Sequence, residues 1–216
     1  MIYTVLEVFD LECIRGDRRL FAPVRFRLHA GELLHLRGDN GSGKTSLLYM
    51  LCGLLPPMGG QIHWRGQSIG KLGEDYRREL FFLGHHNAIK DELTPLENLL
   101  VSARLAEVSL DNSQAFAALE ELGLAGHEDI PCHYLSQGQK RRLALARLVN
   151  EQRPLWLLDE PFVTLDSATT GRVAQLIDAH LQQGGLAIVT NHQDIELTAR
   201  AVHELTLVPH SSALPC

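Results

Sequence analysis

The chain has 216 residues, 45% of them hydrophobic and 21% charged, with a formal net charge of −6. This length holds one sizeable hydrophobic core near the upper limit for a single domain. The acidic balance argues against a broad basic face of the kind that wraps phosphodiester backbones, so nucleic acid is not the expected partner.

Residues 1–36 read as short strands broken by turns at Arg15-Gly16-Asp17 and Ala30-Gly31-Glu32. The opening MIYTVLEVFDLE lacks a basic segment and a small-residue cleavage site, so no signal peptide is expected. An apolar run at 33–36 leads into a glycine-rich turn, and 46–55 reads as a helix. That helix contains the longest apolar stretch, 47–55, which is interrupted by Gly53 and stopped by Pro56 and Pro57. A membrane-spanning helix needs roughly 20 apolar residues, so no transmembrane segment is expected. Met58-Gly59-Gly60 predicts a turn, 61–64 a strand, and 81–83 a further apolar run.

From 95 to about 124 the pattern turns helical, with Leu96, Leu99, Leu100 and Ala103 on one face and Ala115, Phe116, Leu119 and Leu122 on another. One more helix is predicted at 137–149, a strand at 155–158, a helix at 171–181 and a strand at 186–190; the tail is weakly patterned. This alternation predicts an α/β core with a mainly parallel sheet. The organisation expected is one domain over 1–216, with a core of about 1–86 and 150–216 and an inserted helical lobe of about 87–149. The four cysteines, Cys13, Cys52, Cys132 and Cys216, form no C-x-x-C pair and read as free thiols.

Residues 38–45 read GDNGSGKT, a full match to G-x-x-x-x-G-K-[ST]. Gly38, Gly41 and Gly43 let successive backbone amides turn into one concavity, and Asp39, Asn40 and Ser42 complete the loop. The helix amino terminus adds its positive dipole end. Lys44 supplies a cation for the β and γ phosphates, and the Thr45 hydroxyl is a ligand for Mg²⁺. The segment 155–160 reads LWLLDE, a buried apolar strand that delivers Asp159 at its carboxyl end, where open α/β sheets bind ligands. Asp159 is the second expected Mg²⁺ site, and Glu160 the group that orients and polarises the attacking water.

A second anion site is encoded at LSQGQ, residues 135–139, ahead of KRRLALARL. Ser136 and Gln139 have capping-box spacing, and Gly138 permits close backbone approach. LSQGQ resembles the LSGGQ signature of ABC ATPases, with Gln137 in place of the first glycine. The resemblance implies a P-loop NTPase fold of the ABC nucleotide-binding type: a RecA-like core, a small antiparallel β portion and an inserted helical lobe. It also implies a head-to-tail homodimer in which Ser136, Gln137, Gly138 and Gln139 of one subunit close over ATP held by the other. Asp166 in VTLD then stands at the D-loop, contacting the opposite subunit. His192, after the last predicted strand, stands at the switch position facing the γ-phosphate. Over about residues 5–205 the motifs follow the family's order.

Two positions depart from the family. His86 stands at the Q-loop position where a glutamine is usual, with His85 as the alternative. The amino-terminal adenine-stacking aromatic is missing; Arg15 lies near its place, and a guanidinium plane can stack on a base. The stretches GHHNAIKDELTPLENL and LLDEPFVTLD are similar to the haem-exporter branch that serves cytochrome c maturation. That likeness implies a peripheral subunit at the cytoplasmic face of the bacterial inner membrane, partnered by integral membrane subunits of the CcmB and CcmC type. ATP and Mg²⁺ are the implied ligands, and no haem on this subunit. An ABC transporter with another cargo, and a non-transport ABC remodelling factor, stay open as alternatives. A small-molecule kinase would leave LSQGQ and His192 unexplained.

Overall fold

A computed structural model describes residues 4–15, 18–191 and 197–208. Strands β1 (Thr4–Glu12), β2 (Ile14–Arg15), β3 (Arg18–Arg19), β4 (Val24–His29) and β5 (Glu32–Arg37) precede helix α1 (Lys44–Leu51). Next come β6 (Gly59–Trp64), β7 (Gln67–Ser68), the short helices α2 (Ile69–Leu72) and α3 (Glu74–Arg78), and β8 (Leu80–Leu83). Helices α4 (Pro95–Leu105), α5 (Asn112–Glu121) and α6 (Gln137–Ala146) lead to β9 (Leu155–Asp159), α7 (Ser167–Gln182), β10 (Leu186–Thr190) and β11 (Ala201–Thr206).

Five strands form a parallel sheet in the order β11-β5-β10-β9-β8, and a separate antiparallel sheet has the order β4-β1-β6-β7. The α/β expectation therefore holds. Side chains of the parallel sheet alternate between two cores. Leu34, Leu36, Leu155, Leu157 and Ile188 pack with Leu47, Leu48 and Leu51 of α1 and with the antiparallel sheet. Leu33, Trp156, Leu158, Ala187 and Val189 pack with helices α5, α6 and α7. Burial on both faces explains why these strands are continuous apolar runs. Each fully buried leucine contributes roughly 2 kcal/mol by removal from water. In register, Thr190 lies level with Leu36 and with Asp159, so the carboxyl ends of β5, β10 and β9 share one edge.

Helix boundaries follow local chemistry. Thr94 and Glu97 form a capping box with Pro95 at the first turn of α4, and Asp111 with Gln114 does the same for α5. The expected 95–124 segment is therefore two helices, and Phe116, assigned to an apolar face, is 41% exposed. The helix expected at 46–55 starts at Lys44 and ends at Leu51, with Gly53 at φ 71° just beyond its cap. Gly59 and Gly60 belong to β6, not to a turn. The helix expected at 137–149 is α-helical only to Ala146 and finishes in a 3-10 turn. Helix α7 begins at Ser167 because Asp166 caps it. Strand β11, on the sheet edge, leaves no signal in the sequence, because AVHELT carries no clean alternation and is mostly exposed.

The His180 ring stacks on Trp156, with centroids 3.9 Å and planes 7° apart, and its Nε2 lies 3.1 Å from the Leu186 carbonyl oxygen. A side chain at Gly185 would meet this ring, since an ideal Cβ there falls 2.1 Å from it. Burial pulls the His180 pKa down to about 4, against a smaller opposing effect of the Leu186 carbonyl. An unfolded histidine takes up its proton near 6.5. Between those values the unfolded chain binds the extra proton, so stability rises with pH across the window. It is lost as pH falls from about 6.5 toward 4, by about 3 kcal/mol in all. His180→Phe keeps the stack and removes the proton site. Urea unfolding at pH 7 and 4.5 is expected to show the parent losing about 2–3 kcal/mol more than the variant; equal losses would refute the assignment.

Candidate functional site

The glycine loop joins β5 to α1. Gly38, Gly41 and Gly43 sit at φ 143°, 80° and 104°, conformations that side chains disfavour. Space adds a second constraint: an ideal Cβ on Gly38 would lie 2.6 Å from Ser42 Oγ, and one on Gly43 would lie 2.7 Å from the Phe21 ring. Asp39, Asn40 and Gly41 are exposed, whereas Ser42 is fully buried and its amide donates to the Asp39 carbonyl at 3.1 Å. Helix α1 starts from Gly43 with no side-chain cap and no acid in its first turn. Its leading amides have no intrahelical partners and suit an anion. Lys44 folds back over the loop, its Nζ donating to the carbonyls of Gly38 at 2.6 Å and Asp39 at 3.2 Å.

The acid pair lies beside this loop. Asp159 is 2% exposed. Its carboxylate accepts from Thr45 Oγ1 at 2.8 Å through Oδ2 and from Thr190 Oγ1 at 2.7 Å through Oδ1. The Thr190 hydroxyl in turn accepts from the Glu160 amide at 2.8 Å. Loop, Asp159 and Glu160 are thus linked by hydroxyls from two neighbouring segments. Glu160 sits at φ 50°, a strained backbone conformation for a side-chain-bearing residue. Among the described residues no group of three His, Cys, Asp or Glu side chains is placed to hold a metal. The adjacent Thr45 hydroxyl and Asp159 carboxylate are hard oxygen donors, and they fit Mg²⁺ of the kind that shares its shell with phosphate and water.

Of the two histidines after β8, the one beside Glu160 is His85, with Nδ1 3.8 Å from Oε2. His86 packs edge-on against His85, ring centroids 5.7 Å apart, and both are exposed. Ser136 caps α6: its hydroxyl accepts from the Gln139 amide at 3.2 Å, and the Gln139 side chain accepts from the Ser136 amide at 2.8 Å. A serine hydroxyl that accepts this bond still has a proton to donate. The amides of Gln137 and Gly138 lie in the first turn, where no intrahelical acceptor exists. Gln139 Nε2 also lies 2.8 Å from His127 Nε2.

Asp166 is an exposed cap of α7, and the Thr169 amide holds its carboxyl below the usual range. Arg15 is exposed on the β2–β3 hairpin, which is anchored near the loop where Phe21 and Leu20 pack against Gly43. His192 lies outside the described residues.

Two residues at this edge escaped the sequence reading. Thr190 is a fully buried hydroxyl at the end of an apolar strand, and such a group needs a polar partner. Arg141 was read only as part of a helix. It shares a helical face with the buried Ala144 and Leu145 and is itself 5% exposed. Its Nη2 donates to the carbonyls of Asp159 at 3.0 Å and Glu160 at 2.6 Å. Nη1 donates to the Gly84 carbonyl at 3.3 Å and to Asn87 Oδ1 at 3.1 Å.

Comparison with known proteins gives a consistent result. A family model described as ABC transporter matches residues 21–163. The chain is 60% identical over 203 residues to the cytochrome c biogenesis ATP-binding export protein CcmA of Dechloromonas aromatica (strain RCB), covering 94% of this chain and all of that protein. It is 49% identical to the protein of the same name from Nitrosospira multiformis, over 94% of this chain and 98% of that one. Among solved structures, an ABC transporter ATP-binding protein from Pyrococcus furiosus superposes with a TM-score of 0.79 at 25% identity, covering 94% of this chain and 96% of that one. A dimeric post-hydrolysis state of the ATP-binding cassette MJ0796, bound to ADP and Pi, shares the fold at a TM-score of 0.76 and 22% identity, over 87% of this chain and 88% of that one.

Proposed function

Since the chain belongs to the ABC transporter family, as an ATP-binding export subunit of the cytochrome c biogenesis type, we propose that two copies sandwich two ATP molecules and drive haem delivery through membrane-embedded partners. The observation that carries this reading is the hydrogen-bonded chain from Thr45 through Asp159 and Thr190 to Glu160, set beside an uncapped helix end. It joins the phosphate loop, through Thr45, to the backbone amide of Glu160, the residue whose carboxylate we assign to take a proton from water.

On this reading the amides of residues 38–45 and the Lys44 cation hold the phosphates, and Arg15 stacks on adenine. Thr45 and Asp159 would hold Mg²⁺, whose charge screens the phosphate oxygens. Glu160 accepts a proton from the attacking water as its oxygen bonds to the γ-phosphorus and the bond to the β–γ bridging oxygen breaks. Lys44, His192 and the partner's signature helix offset the charge that spreads over the transferred group. Ser136, Gln137, Gly138 and Gln139 supply that helix end, and Asp166 sits at the facing subunit. His85 or His86 takes the place of the Q-loop glutamine.

No helix among the described residues is long and apolar enough to cross a membrane. We assign cargo movement to partners of the CcmB and CcmC type, with this subunit peripheral at the cytoplasmic face of the inner membrane, on the likeness to the cytochrome c biogenesis export proteins. Affinity capture from detergent-solubilised membranes with this chain as bait is expected to recover a haem-handling integral membrane protein. Recovery of membrane subunits with an unrelated cargo would overturn the haem assignment.

A further inference from the structure

We infer that Arg141 is a positioning residue that ties the signature helix to Glu160, so that the working geometry of the catalytic carboxylate depends on the seating of α6. The inference rests on the reading of Glu160 as the water-activating group.

One guanidinium gathers three segments. It projects from α6, five residues beyond the Ser136 cap. It holds the carbonyls of Asp159 and Glu160 at the end of β9, and Gly84 with Asn87 in the loop after β8 that also carries His85 and His86. None of its four acceptors is a carboxylate, so this is not an ion pair closing a surface. Burial pulls the Arg141 pKa down from the usual arginine value, and the nearby Asp159 and Glu160 charges act the other way. A buried cation bonded to three backbone carbonyls and one side-chain amide oxygen fixes geometry, because the planar fork has set directions.

The Glu160 peptide is where that geometry counts. At φ 50° Glu160 lies outside the ordinary basins and persists only if its surroundings hold it. Thr190 Oγ1 grips its amide and Arg141 grips its carbonyl. The grip on one side comes from the core sheet and on the other from α6. Any shift of α6 when its amino end meets the partner's nucleotide is delivered to the Glu160 carbonyl by a rigid group that need not touch ATP itself.

Arg141→Lys keeps the charge and loses the fork. It is expected to lower kcat by about 100-fold, the cost of misplacing a reacting group by about an ångström. KM and the equilibrium affinity for ATP are expected to stay within about twofold, because the phosphate loop is untouched. The decisive readout is the pairing with Glu160→Gln. If Arg141 acts through Glu160, the double variant turns over no more slowly than Glu160→Gln alone. A structural defect elsewhere would multiply the two losses, and a multiplied loss overturns the inference. So does an Arg141→Lys protein with kcat within about threefold of the parent. Thermal melting accompanies each assay. If Arg141→Lys proves unstable, Asn87→Ala removes one acceptor and is expected to lower kcat about threefold to tenfold at constant KM, again without effect in the Glu160→Gln background. A Glu160→Gln protein with normal turnover would instead remove the functional reading on which the inference stands.

Discussion

Replacing Glu160 with glutamine is expected to lower ATP turnover by about 10²–10⁴-fold, the usual contribution of a positioned general base, while leaving ATP affinity within a few-fold. Glutamine has the same shape and length, so the backbone grips at the Glu160 amide and carbonyl persist. What disappears is the capacity to accept a proton from water. Because ATP held in the closed state is then not consumed, that state persists, and the variant is also expected to run as a dimer with ATP and as a monomer without it. Phosphate release and light scattering with and without nucleotide check both halves. Normal phosphate release would displace Glu160 from its assignment; slow release from a chain that stays monomeric would displace the dimer.

What could be read from the sequence was what is written in consecutive residues. The loop 38–45, the acids at 159–160 and the Ser136–Gln139 cap are local patterns, and the chemistry of each is complete within a few positions. The parallel strands β5, β8, β9 and β10 were legible because burial leaves continuous apolar runs, whereas the exposed edge strand β11 carries none. Thr190 and Arg141 were not legible in that way, since their partners stand 30 or more and 18 or more residues distant, respectively. Nothing in either residue's neighbourhood announces the carboxylate or carbonyls it will meet. The two histidines show the same limit. The family resemblance puts His86 at the Q-loop position with His85 as the alternative, and only the turn after β8 shows that His85 is the one beside Glu160. The caps at Thr94–Glu97 and Asp111–Gln114 are a different matter. They are written locally and divide the 95–124 segment, because each cap starts a helix of its own whatever the apolar periodicity.

A mixture of two inactive variants is expected to recover activity, and this is the sharpest consequence of a shared pocket. Lys44→Ala removes the loop cation and is expected to reduce turnover by about 10²–10³-fold, as does the loss of a comparable charge-stabilising donor elsewhere. Gly138→Asp attacks the other half. Its Cβ would meet the Thr164 carbonyl oxygen at 3.7 Å, an ordinary contact, so the added side chain starts without a clash. A carboxylate in the first turn of α6 even favours the helix dipole. It opposes only an incoming phosphate, so its effect falls on nucleotide engagement and leaves stability in place. In a head-to-tail dimer each pocket takes the loop of one subunit and the signature of its twin. Pairing the two variants puts both lesions into one pocket and leaves the other intact. With random pairing, half the dimers are mixed and each has one working pocket, so an equimolar mixture should regain about a quarter of the parent rate. If each subunit completed its own site, every pocket in the mixture would still carry a lesion. The mixture would then turn over no faster than the average of its parts, and the signature helix would have no place over the partner's phosphates.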